Sequence, residues 1–133
     1  MTMTLIDWSA RISAMADALS VPDGGFSVKP DDGSDVRAGY AVAVHPEHER
    51  IFDRPVTSND LHEYIAQAKD ALSLPGRVLG GWHDPATGRV YLDVSVVTAD
   101  LSEAMTLARE TAQLAIFDFS AMESIPVATP VAA

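Results

Sequence analysis

The sequence predicts an α+β domain, an antiparallel sheet with its helices on one face. Three observations lead there. Val78 to Val97 reads as a β-hairpin, with β-rich runs flanking a turn that Asp84-Pro85 opens and Gly88 closes. Amphipathic helical stripes stand on either side of that hairpin, each preceded by residues that cap a helix. From Gly39 to Phe119 the order is then β-α-β-β-α-β, the split βαβ or ferredoxin-like order, with an N-terminal helix and a short strand before it.

The elements follow in order. Leu5, Trp8, Ile12, Met15 and Leu19 recur at helical steps, so residues 4–19 form an amphipathic helix that Pro22 stops. Its stripe covers the sheet or meets a second subunit. Phe26–Lys29 is a short strand, followed by a polar loop. Gly39–His45 is a better strand, with Ala41 and Ala43 on one face and Tyr40, Val42 and Val44 on the other. The small face leaves room for something packed closely above it.

Pro46 to Val56 is a polar connector. Thr57 or Ser58 caps the next helix, and Asp60 suits the positive end of its dipole. Leu61, Tyr64, Ile65, Ala68 and Leu72 form the buried stripe, and Pro75-Gly76 ends it. In the second hairpin strand Val90, Leu92, Val94 and Val96 point one way; Tyr91, Asp93 and Ser95 point the other. Asp100 and Glu103 have capping-box spacing, and Leu101, Met105, Ala108, Ala112 and Ala115 suggest a helix packed closely on the sheet. Residues 114–119 read as a last strand. Residues 1–123 form one domain and 124–133 a mobile or extended tail.

One conflict is visible at this level. Phe26–Lys29 is placed to form a hairpin with Gly39–His45, which the ferredoxin-like order already flanks on both sides. Either the early strand sits elsewhere or the last strand is displaced.

A length of 133 residues suits a single domain, and 47% hydrophobic residues supply a core. No cysteine is present, which excludes disulfides, thiol catalysis and thiolate-bound metals. The N-terminal residues do not read as a signal peptide and no apolar run matches a membrane span. The expected setting is the cytoplasm. A formal charge of −10 disfavours direct nucleic-acid or anionic-membrane binding and fits a basic protein partner, or simple solubility. No phosphate loop, nucleophile elbow, zinc-protease or dinucleotide motif occurs, and no cofactor is implied.

The densest polar group is His45-Pro46-Glu47-His48-Glu49, with His83-Asp84 at the hairpin turn. Imidazole and carboxylate ligands make His45, His48 and His83 the metal candidates, if the two loops share one end of the sheet. The other candidate surface is the polar face of the second hairpin strand. There Tyr91, Asp93 and Ser95, joined by Asp118 and by Trp82 beside Gly80-Gly81, offer hydrogen bonds and close approach to a ligand or partner. The alternatives are a solvated face, an ion pair from Asp93 to Arg89 or Arg37, and glycines that serve packing.

Gly39 to Glu47, Leu79-Gly80-Gly81-Trp82, Val90 to Ser95 and Gln113 to Asp118 together resemble a family of small uncharacterised proteins of actinobacteria, their plasmids and phages. The resemblance spans about Gly25 to Val127. That family has no assigned activity, so the resemblance implies no catalytic residue. It implies a cytoplasmic accessory protein that binds another macromolecule. The leading expectation is therefore a non-enzymatic binding or regulatory module, acting through protein–protein contacts at the sheet face and the N-terminal helix, as a homodimer in one version. The alternatives are a small-ligand or metal-binding protein or enzyme using the histidines or Asp93, and a structural component of a larger phage assembly.

Overall fold

A computed structural model describes residues 8–127. Its elements in chain order are α1 (Trp8–Leu19), β1 (Gly25–Val28), β2 (Tyr40–Val42), a 3-10 turn (Pro46–His48), β3 (Arg50–Phe52), α2 (Ser58–Gln67), α3 (Lys69–Leu72), β4 (Arg77–His83), β5 (Val90–Thr98), α4 (Leu101–Glu110), β6 (Ala115–Asp118) and β7 (Glu123–Pro126). Leu5, at the start of the predicted first helix, lies outside the described residues, as do residues 128–133.

The β4–β5 hairpin is the spine. Seven pairs run from Arg77↔Val96 to His83↔Val90. Its turn closes as the sequence predicts. Gly88 has φ +75° and donates its N–H to the Asp84 carbonyl, while the Asp84 carboxylate accepts from Ala86 N–H and Thr87 Oγ1. The far edge of β5 is shared. β2 pairs with its C-terminal part (Tyr40↔Thr98 to Val42↔Val96) and β3 with its N-terminal part (Arg50↔Leu92 to Phe52↔Val90). The 3-10 turn at Pro46–His48 joins these two short strands.

The sheet is antiparallel throughout and has seven strands, in the order β1-β4-β5-β2-β6-β7 with β3 beside β5. This differs from the four-stranded sheet expected for residues 39–119. The predicted conflict resolves by the first route: β1 pairs with β4, from Gly25↔Trp82 to Val28↔Leu79, and takes the outer edge. β7 forms where the extended tail was expected to begin. It continues the sheet beyond β6, from Ala115↔Pro126 to Asp118↔Glu123.

Strand register sorts the residues onto two faces. Val90, Leu92, Val94 and Val96 of β5, with Leu79, Val42, Val28 and Ile116 in register beside them, face the helices. Ile12, Met15 and Leu19 of α1, Leu61 and Tyr64 of α2 and Leu72 of α3 cover the β1/β4/β5 half. The apolar stripe of α1 is thus spent inside the domain. Ala104 and Ala108 of α4 cover Val42 and Ile116 in the other half, where small side chains let helix and sheet approach closely. Leu101, expected in that stripe, is the first residue of α4 and is exposed, and burial on this face begins one turn later at Ala104.

The caps hold as read. Thr57 caps α2 in a full capping box with Asp60, and Asp100 accepts from Ser102 N–H and Glu103 N–H at α4. Arg54 grips Asp60 with two bonds, at 2.7 and 2.9 Å, and this pairing holds the Asp60 carboxyl well below the usual carboxylate range. The predicted single helix over 57–72 is interrupted at Ala68, whose φ of −92° and ψ of 8° leave the helical well between α2 and α3.

Candidate functional site

Among the described residues no helix covers the second face of the sheet. The sheet curls, and that face becomes a groove of about 1040 Å³, walled on one side by residues 35–37 and on the other by the β6–β7 hairpin. Asp93 and Ser95 of β5 form its floor, with Gly80 of β4, Ala41 of β2 and Ala43 just after that strand. The small-residue face predicted for that strand is therefore the groove side, and what lies above it is open space.

Asp93 is the unusual group. It stands in the middle of a strand, where aspartate is disfavoured, and its carboxylate is half-buried over Gly80. It accepts one hydrogen bond, from Ser95 Oγ at 3.3 Å, and Ser95 is itself only 6% exposed. Neither candidate cation reaches it. Arg89 donates to Asp53 at 3.0 Å and Arg37 lies 3.9 Å from Asp35, so among the described residues Asp93 has no ion pair. Burial pushes its carboxyl pKa up, the Ser95 bond opposes that, and the neighbouring Glu49 carboxylate adds to it.

The paired glycines divide the work between the two faces. A Cβ on Gly81 would lie 2.6 Å from the Phe26 ring on the helix side, so this glycine serves packing. A Cβ on Gly80 would lie 2.5 Å from Asp93 Oδ1, so this glycine makes room for the carboxylate. Gly81→Ala is expected to destabilise the fold by about 1–3 kcal/mol, since the Phe26 ring and the Leu19 side chain packed on it must move. Gly80→Ala is expected to cost less, because the end of a side chain can swing away, and to displace Asp93 instead. Denaturant melts of both variants check the ranking.

Of the other predicted residues, Trp82 lines one end of the groove and stacks on Tyr91, its register partner, at 6.1 Å with 30° between the rings. Trp82 is 43% exposed and its indole N–H donates to Asp23 at 2.9 Å. Asp118 stands on the other face: its register partner is Tyr40, while Phe117 pairs with Ala41 and faces the groove. The Asp118 carboxylate accepts from Ser120 N–H and Ala121 N–H in the β6–β7 turn. Glu49 was missed as a site residue. It precedes β3, and only the pairing of Arg50 with Leu92 brings it beside Asp93.

The histidines do not converge. Arg77 Nε donates to His45 Nε2 at 3.1 Å, which leaves Nδ1 to carry the proton toward Glu47 Oε1 at 3.0 Å. His48 packs edge-on to His45, and its carbonyl accepts from the Tyr64 hydroxyl at 2.6 Å. His83 Nδ1 donates to the Leu19 carbonyl at 2.8 Å and ties the hairpin to the end of α1. Arg77 and His83 sit at opposite ends of β4, roughly 20 Å apart at strand rise, so the two loops lie at opposite ends of the hairpin. Among the described residues no three His, Asp or Glu side chains gather as a metal site. No helix is long and apolar enough to cross a membrane, again among those residues.

No family model matches the chain, and neither a curated protein nor a solved structure matches it. The groove geometry therefore carries the functional argument. A second cleft of about 1020 Å³, lined by Lys29, Arg37, Lys69 and Arg77 over Leu72 and Val97, lies on the far side of residues 35–37. Its lysines are exposed, and Arg77 is committed to His45 and the Pro75 carbonyl.

Proposed function

We propose that this chain is a non-enzymatic binding module that takes a segment of a partner protein into the concave face of its sheet. One observation carries the reading: a half-buried carboxylate, Asp93, which among the described residues has no cation beside it and stands at the floor of a groove that none of their helices covers. A buried charge without a partner is a burden on the fold, and such groups concentrate at sites of function. Exposed Trp82 and Met122 on the groove supply the apolar contact area that partners use. The resemblance to small actinobacterial and phage proteins agrees with an accessory role in the cytoplasm. The four adjacent strands β4-β5-β2-β6, with α2 and α4, support a ferredoxin-like unit to which β1, β3 and β7 are additions.

A random peptide library selected on the immobilised chain tests this. Selected peptides are expected to lose binding to Ser124→Trp, which fills the groove from the exposed β7, and to keep binding to Glu63→Trp on the outer side of α2. An empty selection, or peptides that are indifferent to Ser124→Trp, would overturn the proposal.

A further inference from the structure

Resting on that reading, we infer that the groove's anchor point is built for a guanidinium: the bound segment is extended and presents an arginine to Asp93 and Glu49, with the Trp82–Tyr91 pair beside it. The geometry points there by register. Ser27 pairs with Gly80 and Gly80 pairs with Asp93, and Glu49 follows in the same row, one residue before the Arg50↔Leu92 pair. The row reads hydroxyl, bare backbone, carboxylate, carboxylate. The Asp93 carboxylate takes the space above Gly80, with Oδ1 2.5 Å from where a Cβ would stand, and Glu49 lies on its other side.

Charge complementarity sets the class of occupant. The groove lining contains the carboxylates Asp23, Asp35, Glu49, Asp93 and Glu123 against one cation, Arg37. Two of these acids are occupied: Asp23 holds the Trp82 indole, and Asp35 is bridged by Arg11 and approached by Arg37. Among the described residues Asp93, Glu49 and Glu123 have no ion pair. Asp93 and Glu49 repel one another, so a cation between them relieves both.

A guanidinium fits better than an ammonium for two reasons. Its five planar donors can serve two carboxylates together with the Ser95 hydroxyl, where an ammonium has three. It also stacks on aromatic faces, and the Trp82–Tyr91 pair stands one step along the strands from the carboxylate row. A free small guanidine would leave most of the groove empty. The groove runs on past Phe117 and Phe119 toward Ser124, with room for the residues that flank the arginine in a polypeptide.

The test uses the full chain, isotope-labelled for NMR, and two short acetylated and amidated peptides. One carries an arginine between valines, and its twin carries citrulline, a neutral group of the same shape. The arginine peptide is expected to shift Gly80, Asp93, Ser95 and the Trp82 indole saturably, and to bind at least about tenfold tighter than its twin, the range of one charge-assisted contact. Asp93→Asn is expected to remove most of the arginine peptide's advantage, Glu49 keeping the remainder, and to leave citrulline affinity unchanged, which separates loss of the charge from loss of the fold. Equal affinities with shifts still mapping to the groove would overturn the guanidinium inference and leave the binding reading standing. Shifts absent from the groove with both peptides would overturn the two together.

Discussion

Leu92→Ala is expected to lower the unfolding free energy by about 2–5 kcal/mol, while a substitution at the very next residue is expected to act in the opposite direction. Leu92 is fully buried, in one cluster with Ile12, Met15, Leu61, Tyr64 and Val94. Truncation removes apolar area and leaves a cavity beneath α1 and α2, which only partly collapses. Its backbone is clamped between β4 (Gly81) and β3 (Arg50), so the strand has little freedom to close the gap. Denaturant unfolding with an unchanged m-value checks this. A loss below about 1 kcal/mol would mean that the even-numbered face of β5 is not the core.

Asp93→Asn is expected to stabilise the chain near neutral pH, by on the order of 1 kcal/mol or more, the scale of an unpaired buried polar group. Asparagine keeps an oxygen for the Ser95 hydroxyl and removes the charge. The sign with pH follows from linkage. The folded pKa of Asp93 is raised, so its favourable contribution is full below the unfolded value of about 3.9 and is lost as pH rises through the folded value. The gain from Asp93→Asn is therefore larger at pH 7 than at pH 4. Asp60 behaves oppositely, since its lowered pKa gives stability that is present at neutral pH and lost on acidification. Taking wild type minus Asp93→Asn across pH cancels the Asp60 contribution and isolates Asp93. The groups facing Asp93 in that comparison are Ser95 on its own strand, Glu49 beside it, and Tyr64 across the sheet, whose hydroxyl pKa burial pushes up.

The two neighbours show how much of the molecule was legible. Alternation along Val90–Val96 separates the core face from the polar face, and it placed Asp93, Tyr91 and Ser95 on one side without any coordinates. The Asp84–Gly88 turn and the Thr57 and Asp100 caps were readable because their chemistry is local. Pairing was not local. Arg50-Ile51-Phe52 is a three-residue strand inside a polar connector, too short to show a period, yet it delivers Glu49 to Asp93. Glu123-Ser124-Ile125-Pro126 carries a proline that an edge strand tolerates, and composition alone reads it as tail. Asp118 and Phe117 differ by one residue, and that single step of register decides which of them meets the groove. The histidines failed to gather because the length of the hairpin, not their spacing in sequence, sets the distance between their loops.

The most direct measurement is the titration of the Asp93 side-chain carboxyl carbon by NMR, free and with the arginine peptide bound. A carboxylate held at the groove floor for a cation is expected to titrate above the usual aspartate range in the free chain and to fall back when the guanidinium arrives. An Asp93 that titrates normally in the free chain, or whose titration is unmoved by a peptide bound in the groove, would contradict the account.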